Sequence, residues 1–119
     1  MDEDQVAVEL FRDQLLTTKF GASTASELAM APVISTVHNK LTYSADVLNI
    51  DAGATLQVYL DFSYNGAAWI VYDSLSCTAI GFYQGLTWDF LYPFARFRAG
   101  ITGATKSVLF SANATMFRG

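Results

Sequence analysis

Regular alternation of apolar and polar side chains between Leu56 and Phe62 constrains the fold of this chain more than any other feature. The apolar residues that share one parity there are Leu56, Val58, Leu60 and Phe62. A period of two residues predicts a strand with one buried face. The pair Asn65-Gly66 follows, and these residues readily take the positive φ angles of a type I′ turn. Residues 56–73 are therefore predicted to form a β-hairpin, with residues 67–73 as its returning strand.

Weaker signals of the same kind extend over most of the chain. They predict strands at residues 33–38, 46–50, 74–80, 87–92, 94–99 and 106–114, with turns at residues 81–85 and 100–103. Residues 9–16 fit either a short helix or a strand, and the extended form is the favoured interpretation. Residues 23–30 are compatible with a helical turn that ends before Pro32. Turn signals recur about every 8 to 12 residues, which predicts one all-β domain over residues 1–119, either a sandwich or a barrel.

Few charges and many aromatic rings determine what we expect of the surface. Charged residues make up 15% of the chain and apolar residues 52%, whereas an average globular chain carries about 25% charged residues. With nine Phe, six Tyr and two Trp, we expect part of the apolar exterior to be covered by a partner or by other copies of the chain. The alternative interpretation is a well-filled core.

The charges are also unevenly distributed. A net charge of −4 and a pI near 4.6 argue against a nucleic-acid partner, which requires clustered Lys and Arg. Asp2, Glu3 and Asp4 form an acidic start, whereas Arg96 and Arg98 lie in the last quarter of the chain. We therefore expect an extended, acidic N-terminal arm within residues 1–20 that either stays solvated or meets the basic strand of a neighbouring copy.

Neither a secretion signal nor a membrane span is expected. The acidic start lacks the basic and apolar segments of a signal peptide, and no apolar run approaches the roughly 18 residues that cross a bilayer. Cys77 is the single cysteine, which excludes an intramolecular disulfide, and its alternation with Leu75 and Ala79 predicts a small buried side chain. The chain is expected to fold in a cytoplasm.

Residue types that support catalysis are sparse. His38 is the only histidine, and an isolated histidine at a strand end is typical of a surface position. The aspartates from residue 46 onward are spread one to a strand or turn, as on solvated faces: Asp46, Asp51, Asp61, Asp73 and Asp89. The spacings of phosphate loops, nucleophile elbows and calcium loops are absent. We therefore expect no enzyme activity, no cofactor and no bound metal.

One run of aromatic residues shares a parity: Trp88, Phe90, Tyr92 and Phe94. An exposed stripe of this kind stacks against sugar rings in carbohydrate-binding modules. The same stripe would also suit half of a sandwich core or a subunit contact, and Pro93 interrupts its strand. All three interpretations stay open on the sequence.

A resemblance to a known family is carried by residues 54–58 (ATLQV), 63–66 (SYNG) followed by Trp69, 92–98 (YPFARFR) and 101–104 (ITGA). Together they resemble the small β-sandwich decoration, or cement, proteins of tailed-bacteriophage capsids. In that family a strand leads into an Asn-Gly or Asp-Gly turn, a Trp follows, and a late aromatic-Ala-Arg strand precedes a Thr-Gly turn. The resemblance covers roughly the second half of the chain.

The resemblance implies an antiparallel, jelly-roll-like β-sandwich that assembles as a dimer or trimer and stabilises a capsid lattice without catalysis. Its partners would be the major capsid protein or other virion proteins, and it would bind neither nucleic acid nor membrane. A neck or tail adaptor and a carbohydrate-binding or adhesion module remain as alternatives. The candidate interface residues are Asp2, Glu3, Asp4, Tyr83, Trp88, Tyr92, Arg96 and Arg98.

Overall fold

The computed structural model describes residues 6–17, 28–30, 34–35, 40–87, 92–103 and 106–117. Their regular structure consists of strands, which we number in chain order. The strands are β1 (Val6–Thr17), β2 (Leu28–Met30), β3 (Ile34–Ser35), β4 (Lys40–Ile50), β5 (Thr55–Ser63), β6 (Ile70–Cys77), β7 (Gly81–Thr87), β8 (Phe94–Thr102) and β9 (Ser107–Phe117). Within these residues, no helix is long and apolar enough to cross a membrane.

The strands form two antiparallel sheets packed face to face. The first sheet has the order β1-β9-β4-β7, and the second has the order β2-β8-β5-β6, with β3 also pairing with β8. Because β2 and β3 share one place beside β8, each sheet has four strand places, which is the arrangement of a jelly roll. The predicted all-β, jelly-roll-like sandwich is confirmed.

The core lies between the inward faces of the central strands. Strand β5 buries the residues whose alternation predicted a buried face, and strands β8 and β9 bury alternate residues in the same way. These residues are Leu56, Val58, Leu60, Phe62, Ala95, Phe97, Ala99, Val108, Phe110 and Ala112. Strand β4 adds Tyr43, which packs against Phe97 of the opposite sheet with ring centroids 5.4 Å apart. The small alanines opposite the large rings allow the two sheets to interdigitate at the density of protein interiors.

The predicted hairpin is present, but its turn differs from the prediction. β5 and β6 pair from Leu56–Cys77 to Phe62–Ile70, so the loop is longer than a two-residue turn, and only Gly66 of the central pair has a positive φ, +77°. The Ser63 hydroxyl accepts the amides of Asn65 and Gly66, while the Asn65 side-chain oxygen accepts the amides of Ala67 and Ala68. These side-chain bonds replace the backbone bond of a type I′ turn.

Several strand boundaries also differ. Residues 67–73 and 74–80 were expected to be two strands, but β6 runs straight through Ile70–Cys77. The turn predicted at residues 81–85 is wrong because β7 occupies Gly81–Thr87. Leu28–Met30 is a strand rather than part of a helical turn, and β8 continues to Thr102 through most of the turn predicted at residues 100–103.

Three further predictions meet the structure only in part. Strand β4 begins at Lys40, six residues before the strand predicted at 46–50. Of the strand predicted at 33–38, β3 covers Ile34–Ser35, and residues 36–39 with His38 lie outside the described residues. Thr87 ends β7 and Tyr92 precedes β8, whereas residues 88–91 of the strand predicted at 87–92 are not described.

The edge strand β1 contains most of the predicted N-terminal arm. The extended conformation predicted for residues 9–16 is confirmed, because β1 pairs along β9 from Val6 to Thr17. The pairing register shifts twice, between Glu9 and Phe11 and between Phe11 and Gln14. Asp13 lies at one of these irregularities, with a φ of +46°. Bulges and charges of this kind discourage a further strand from pairing with an edge.

A polar contact joins the two sheets beneath β6 and β7. The buried Tyr43 hydroxyl donates to Oδ2 of Asp73 on β6, at 2.9 Å. Burial, followed by the hydrogen bond and the charge of Asp73, raises the pKa of Tyr43 far above its ordinary value, and burial raises the pKa of the nearby Cys77 thiol to about 11. The prediction that Cys77 is a buried, apolar thiol is confirmed.

Gly85 provides the space for this contact. It lies opposite Tyr43 in the β4–β7 pairing, and a Cβ at this position would be 2.6 Å from Cε1 of the Tyr43 ring. We predict that Gly85→Ala lowers the free energy of unfolding by about 2 kcal/mol, since the enclosed ring has nowhere to move. Urea unfolding measures this change.

Gln84→Ala, on the same strand but exposed, serves as the control and is expected to change stability by less than about 0.5 kcal/mol. If Gly85→Ala and Gln84→Ala unfold at the same urea concentration, the close packing of Tyr43 on Gly85 is not important for stability.

Candidate binding surface

A compact cluster of charged and aromatic side chains lies on the outward face of the second sheet. Asp61 of β5 is directly opposite Arg96 of β8 in the strand pairing, and Tyr59 is opposite Arg98. Nε of each arginine donates to Oδ2 of Asp61, at 2.8 Å from Arg96 and 2.6 Å from Arg98, and Nη2 of Arg98 donates to Oδ1 at 3.1 Å. We call Tyr59, Asp61, Trp69, Arg96 and Arg98 the arginine cluster.

Aromatic rings flank both guanidinium groups. The Arg96 guanidinium carbon lies 4.4 Å from the centre of the Trp69 ring, and that of Arg98 lies 4.5 Å from the centre of the Tyr59 ring. A guanidinium stacked on a ring is attracted to the ring electrons and loses rotational freedom. The two arginine planes are therefore held in place by a carboxylate at their edge and a ring at their face.

The electrostatics of the arginine cluster follow from the burial of Asp61. Its side chain is 1% exposed, while those of Arg96 and Arg98 are 22% and 20% exposed. The hydrogen bond to Asp61 raises the pKa of the Arg98 guanidinium; partial burial acts in the opposite direction, and the charge of Asp61 adds to the increase. One carboxylate against two guanidiniums leaves a net positive charge at the surface of a chain whose own net charge is −4.

Asp61 is a residue of the candidate site whose position was not predicted from the sequence. The prediction that it lies on a solvated face is wrong, because Asp61 is buried and accepts hydrogen bonds from both arginines. The alternation along β5 does predict correctly that Asp61 lies on the face opposite to that of Leu60 and Phe62. The paired spacing of Arg96 and Arg98 was the available signal, since two cations on one strand face require a counter-charge nearby.

The second feature of the surface is a side with many exposed apolar residues, formed by the neighbouring edge strands β6 and β7. We call it the β6–β7 side, and its exposed residues are Tyr64, Ile70, Val71, Tyr72, Ile80 and Phe82. Asp73 is the one charged residue in the sequences of β6 and β7, and it is half-buried and bonded to Tyr43. Val71 is paired with Asp61, so the β6–β7 side is continuous with the arginine cluster.

Tyrosine rings gather at one end of the β6–β7 side around Phe62. Tyr92 stacks on Phe62 with centroids 5.0 Å apart and planes within 3°, and Tyr64 lies 4.6 Å from Tyr92. Tyr72 meets Phe62 edge-on at 4.9 Å. Partial burial, together with the Tyr64 and Tyr72 phenols, raises the pKa of Tyr92. Tyr64 and Tyr72 expose much of their rings, whereas Tyr92 is half-buried against Phe62 and Tyr64.

The structure brings together some of the predicted interface residues. Arg96 and Arg98 share the arginine cluster. Tyr92 packs against Phe62 at one end of the β6–β7 side. Tyr83 of β7 is half-buried, and its hydroxyl bonds the amide and carbonyl of Ala79, so it closes the β6–β7 turn. Asp2, Glu3, Asp4 and Trp88 lie outside the described residues. An interface role for all these residues stays a prediction.

No group of His, Cys, Asp and Glu within the described segments could hold a metal ion. Of the aromatic run predicted to form a stripe, Trp88 and Phe90 are not described. Phe94 opens β8 and is half-buried; it would lie 3.8 Å from a Cβ at Gly66. Among the described residues of this region, Tyr64 and Tyr72 expose much of their rings.

No protein-family model and no curated protein matches the sequence. Solved structures do share the fold. The PBSX exported protein XepA matches 100% of this chain with a TM-score of 0.69 and 14% identity. A chain of infectious bursal disease virus, Gx strain, matches 97% with a TM-score of 0.63 and 7% identity. The CBM36-1 domain of a multidomain xylanase from the hindgut metagenome of Trinervitermes trinervoides matches 97% with a TM-score of 0.54 and 5% identity.

These proteins differ in how much of their own length the match includes. This chain spans 39% of XepA and 32% of the virus chain, but 98% of the CBM36-1 domain. At such low identities the likeness shows the fold alone. That fold is a β-sandwich found in an exported protein, a virus and a carbohydrate-binding module.

The arginine cluster makes a prediction about stability. Asp61→Asn keeps the shape of the side chain but removes the charge that both arginines face. We expect the free energy of unfolding to fall by about 3 kcal/mol, because two partly buried guanidiniums lose their counter-ion. Asp46→Asn is the control, since Asp46 is exposed on β4, and should change stability by less than about 0.5 kcal/mol. Equal stability of the two variants would mean that the cluster contributes nothing to folding.

Proposed function

We propose that this protein is a structural component of a virus particle. In this proposal it is a decoration, or cement, protein that binds the lattice of the major capsid protein through its β6–β7 side and catalyses no reaction. The contrast between the two lateral sides of the sandwich carries the proposal. The jelly-roll fold, shared with a chain of infectious bursal disease virus and with the PBSX exported protein, is consistent with it.

The two sides differ in the features that normally prevent strand edges from associating. On β1, two register shifts and the exposed Glu9–Arg12 ion pair interrupt the edge. β6 has one register shift against β5, between Val71 and Asp73, but Ile70, Val71 and Tyr72 are three consecutive exposed apolar residues, and the strand contains neither Lys, Arg nor Pro. Soluble monomers protect their sheet edges with such residues. A side that lacks exposed charges and proline is expected to be covered by a partner in the working assembly.

Binding at the β6–β7 side would stabilise a shell by a simple mechanism. Burying apolar surface contributes about 25 cal/mol per Å², although ordering and desolvation reduce the net gain. A symmetric shell repeats the same contact at every equivalent junction, so that a modest affinity per copy is sufficient. Each bound copy that spans two capsomers raises the work needed to separate them.

The test uses particles purified from cells that make the protein, analysed by quantitative mass spectrometry. The chain should be present in a fixed ratio to the major shell protein. Val71→Lys should lower that ratio about tenfold, the effect of about 1.4 kcal/mol per contact, because a charge would be buried at the interface. The control is Leu15→Lys on β1, since Leu15 is 56% exposed and Val71 57%; it should leave the ratio unchanged.

Absence of the chain from the particles would overturn the proposal. If Val71→Lys and Leu15→Lys lower the ratio in the particles equally, the β6–β7 side is not the contact. A presence of only a few copies per particle would instead indicate the related alternative, a neck or tail adaptor, because a lattice protein needs many more copies.

The exposed tyrosines favour a second candidate function, a carbohydrate-binding or adhesion module. Tyr64 packs on Tyr92 and Tyr72 packs on Phe62, so that two largely exposed rings with hydroxyls flank one aromatic stack. Sugars bind to such combinations of stacking surface and hydrogen-bond groups. The CBM36-1 likeness supports the same candidate at the level of the fold.

On a glycan array, this second candidate requires binding that Tyr64→Ala reduces about tenfold, consistent with the loss of one stacked ring. Phe82→Ala removes an equally exposed ring from β7 and should not affect it. An array without any bound glycan would reject the carbohydrate-binding function.

A further inference from the structure

The arginine cluster has more hydrogen-bond donors than Asp61 uses. Arg96 reaches Asp61 through Nε alone, and Arg98 does so through Nε and Nη2. A guanidinium carries five N–H donors in one plane. Within the described residues, both Nη groups of Arg96 and Nη1 of Arg98 are therefore left for water or a ligand. Because each arginine side chain remains about one-fifth exposed, a ligand can reach these groups from outside.

The unused donors are already held in position. Trp69 and Tyr59 fix the planes of the two guanidiniums, and the enclosed Asp61 fixes their edges. A ligand that binds them does not have to immobilise two flexible side chains, and the entropy lost in such ordering otherwise weakens binding. Arg, Trp and Tyr are also the residue types that contribute most of the binding energy at protein interfaces.

The chemistry of the site selects a carboxylate. The cluster has one positive charge in excess, and the planar N–H edges of arginine match the two oxygens of a carboxylate. A nucleic-acid backbone would need many more cations than the seven Lys and Arg in a chain of net charge −4. The chain itself contains a segment with three consecutive carboxylates.

We propose that the arginine cluster binds the acidic segment Asp2, Glu3 and Asp4 of a second copy of this chain. These three consecutive carboxylates precede β1 by only one residue, Gln5. The cluster and the acidic segment are opposite in charge, and each copy contains both. The resulting contact joins different surfaces of two copies, so that it can link copies in a ring or a row.

Geometry favours a second copy over a contact within one chain. β1 belongs to the first sheet, whereas the arginine cluster faces away from it on the second sheet. Packed sheets are about 10 Å apart, and the four residues from Asp2 to Val6 span at most about 14 Å when extended. From β1 the path crosses the gap between the sheets and then continues around the β2 edge to the outer face of β8, which adds at least one strand spacing of about 4.8 Å. The path is therefore longer than the reach of the segment. The inference needs only a second copy, and it stands whether or not the protein belongs to a virus.

Sedimentation velocity of the full chain tests the inference. The wild-type protein should self-associate at about 20 mM salt and dissociate at about 500 mM salt, where charge interactions are screened. An arm variant should bind its copies about tenfold more weakly or worse. Its substitutions are Asp2→Asn, Glu3→Gln and Asp4→Asn. A control variant that removes the same number of charges elsewhere should associate like the wild type. Its substitutions are Glu9→Gln, Asp13→Asn and Asp46→Asn.

A variant of the cluster completes the design. Arg96→Lys keeps the charge beside Asp61 but removes the planar Nη edge, so the protein should fold, as far-UV circular dichroism can verify, yet not associate. Mixing Arg96→Lys with the arm variant should restore a heterodimer, because one copy contributes an intact arm and the other an intact cluster. Self-association as tight as that of the wild type in either variant alone would overturn the inference.

Two other results would also overturn it. One is a wild-type protein that is monomeric at high micromolar concentration and low salt. The other is an equal loss of association in the arm variant and the control variant, which would reflect net charge rather than a specific contact. The proposed function is tested separately, because it is measured by the number of copies in purified particles and by the effect of Val71→Lys on that number.

Discussion

The inward faces of β4 and β9 must bury those of β5 and β8, and every other feature of the molecule depends on that packing. Each of these strands has a neighbour on both sides, and alternate residues along them are enclosed. Residues between the enclosed ones are therefore held at fixed places on the outward faces. Phe97, locked in the core, sets the spacing of Arg96 and Arg98 on the other side. The core thus positions the arginine cluster without contacting it.

The same physics explains which parts of the fold could be predicted from the sequence. Strands β5, β8 and β9 have one buried face, so their alternation was readable at Leu56–Phe62, Ala95–Ala99 and Val108–Ala112. β6 exposes three consecutive residues from Ile70, so it lacks a clean period and its start was misplaced. The glycines at 81 and 85 predicted a turn, but Gly85 lies within β7 because the Tyr43 ring needs the space of a side chain there. Tertiary contact outweighed local turn preference at that position.

The candidate site was less predictable than the fold. Arg96 and Arg98 were named from the sequence because cations are rare in this chain, but their counter-ion was not. Asp61 is 35 and 37 residues away from them along the chain, and the β5–β8 pairing that joins them is a register that one sequence does not reveal. Its outward parity suggested a solvated carboxylate. The exposure of an edge-strand residue such as Val71 is equally difficult to predict from the sequence, because it depends on which side of the strand has no neighbour in the sheet.

The arginine cluster is hard to explain as a device for stability alone. A buried ion pair adds little compared with apolar side chains of the same volume, because removing the charges from water offsets most of their attraction. This chain has few charges, 15% of its residues, and its core is otherwise apolar. Yet it places three of those charges together, with two stacked rings, beside the apolar β6–β7 side. What the arrangement does provide is orientation: two rigid guanidinium planes at a defined point on a surface. That property is useful to a partner that has to be recognised, and the fold itself does not need it.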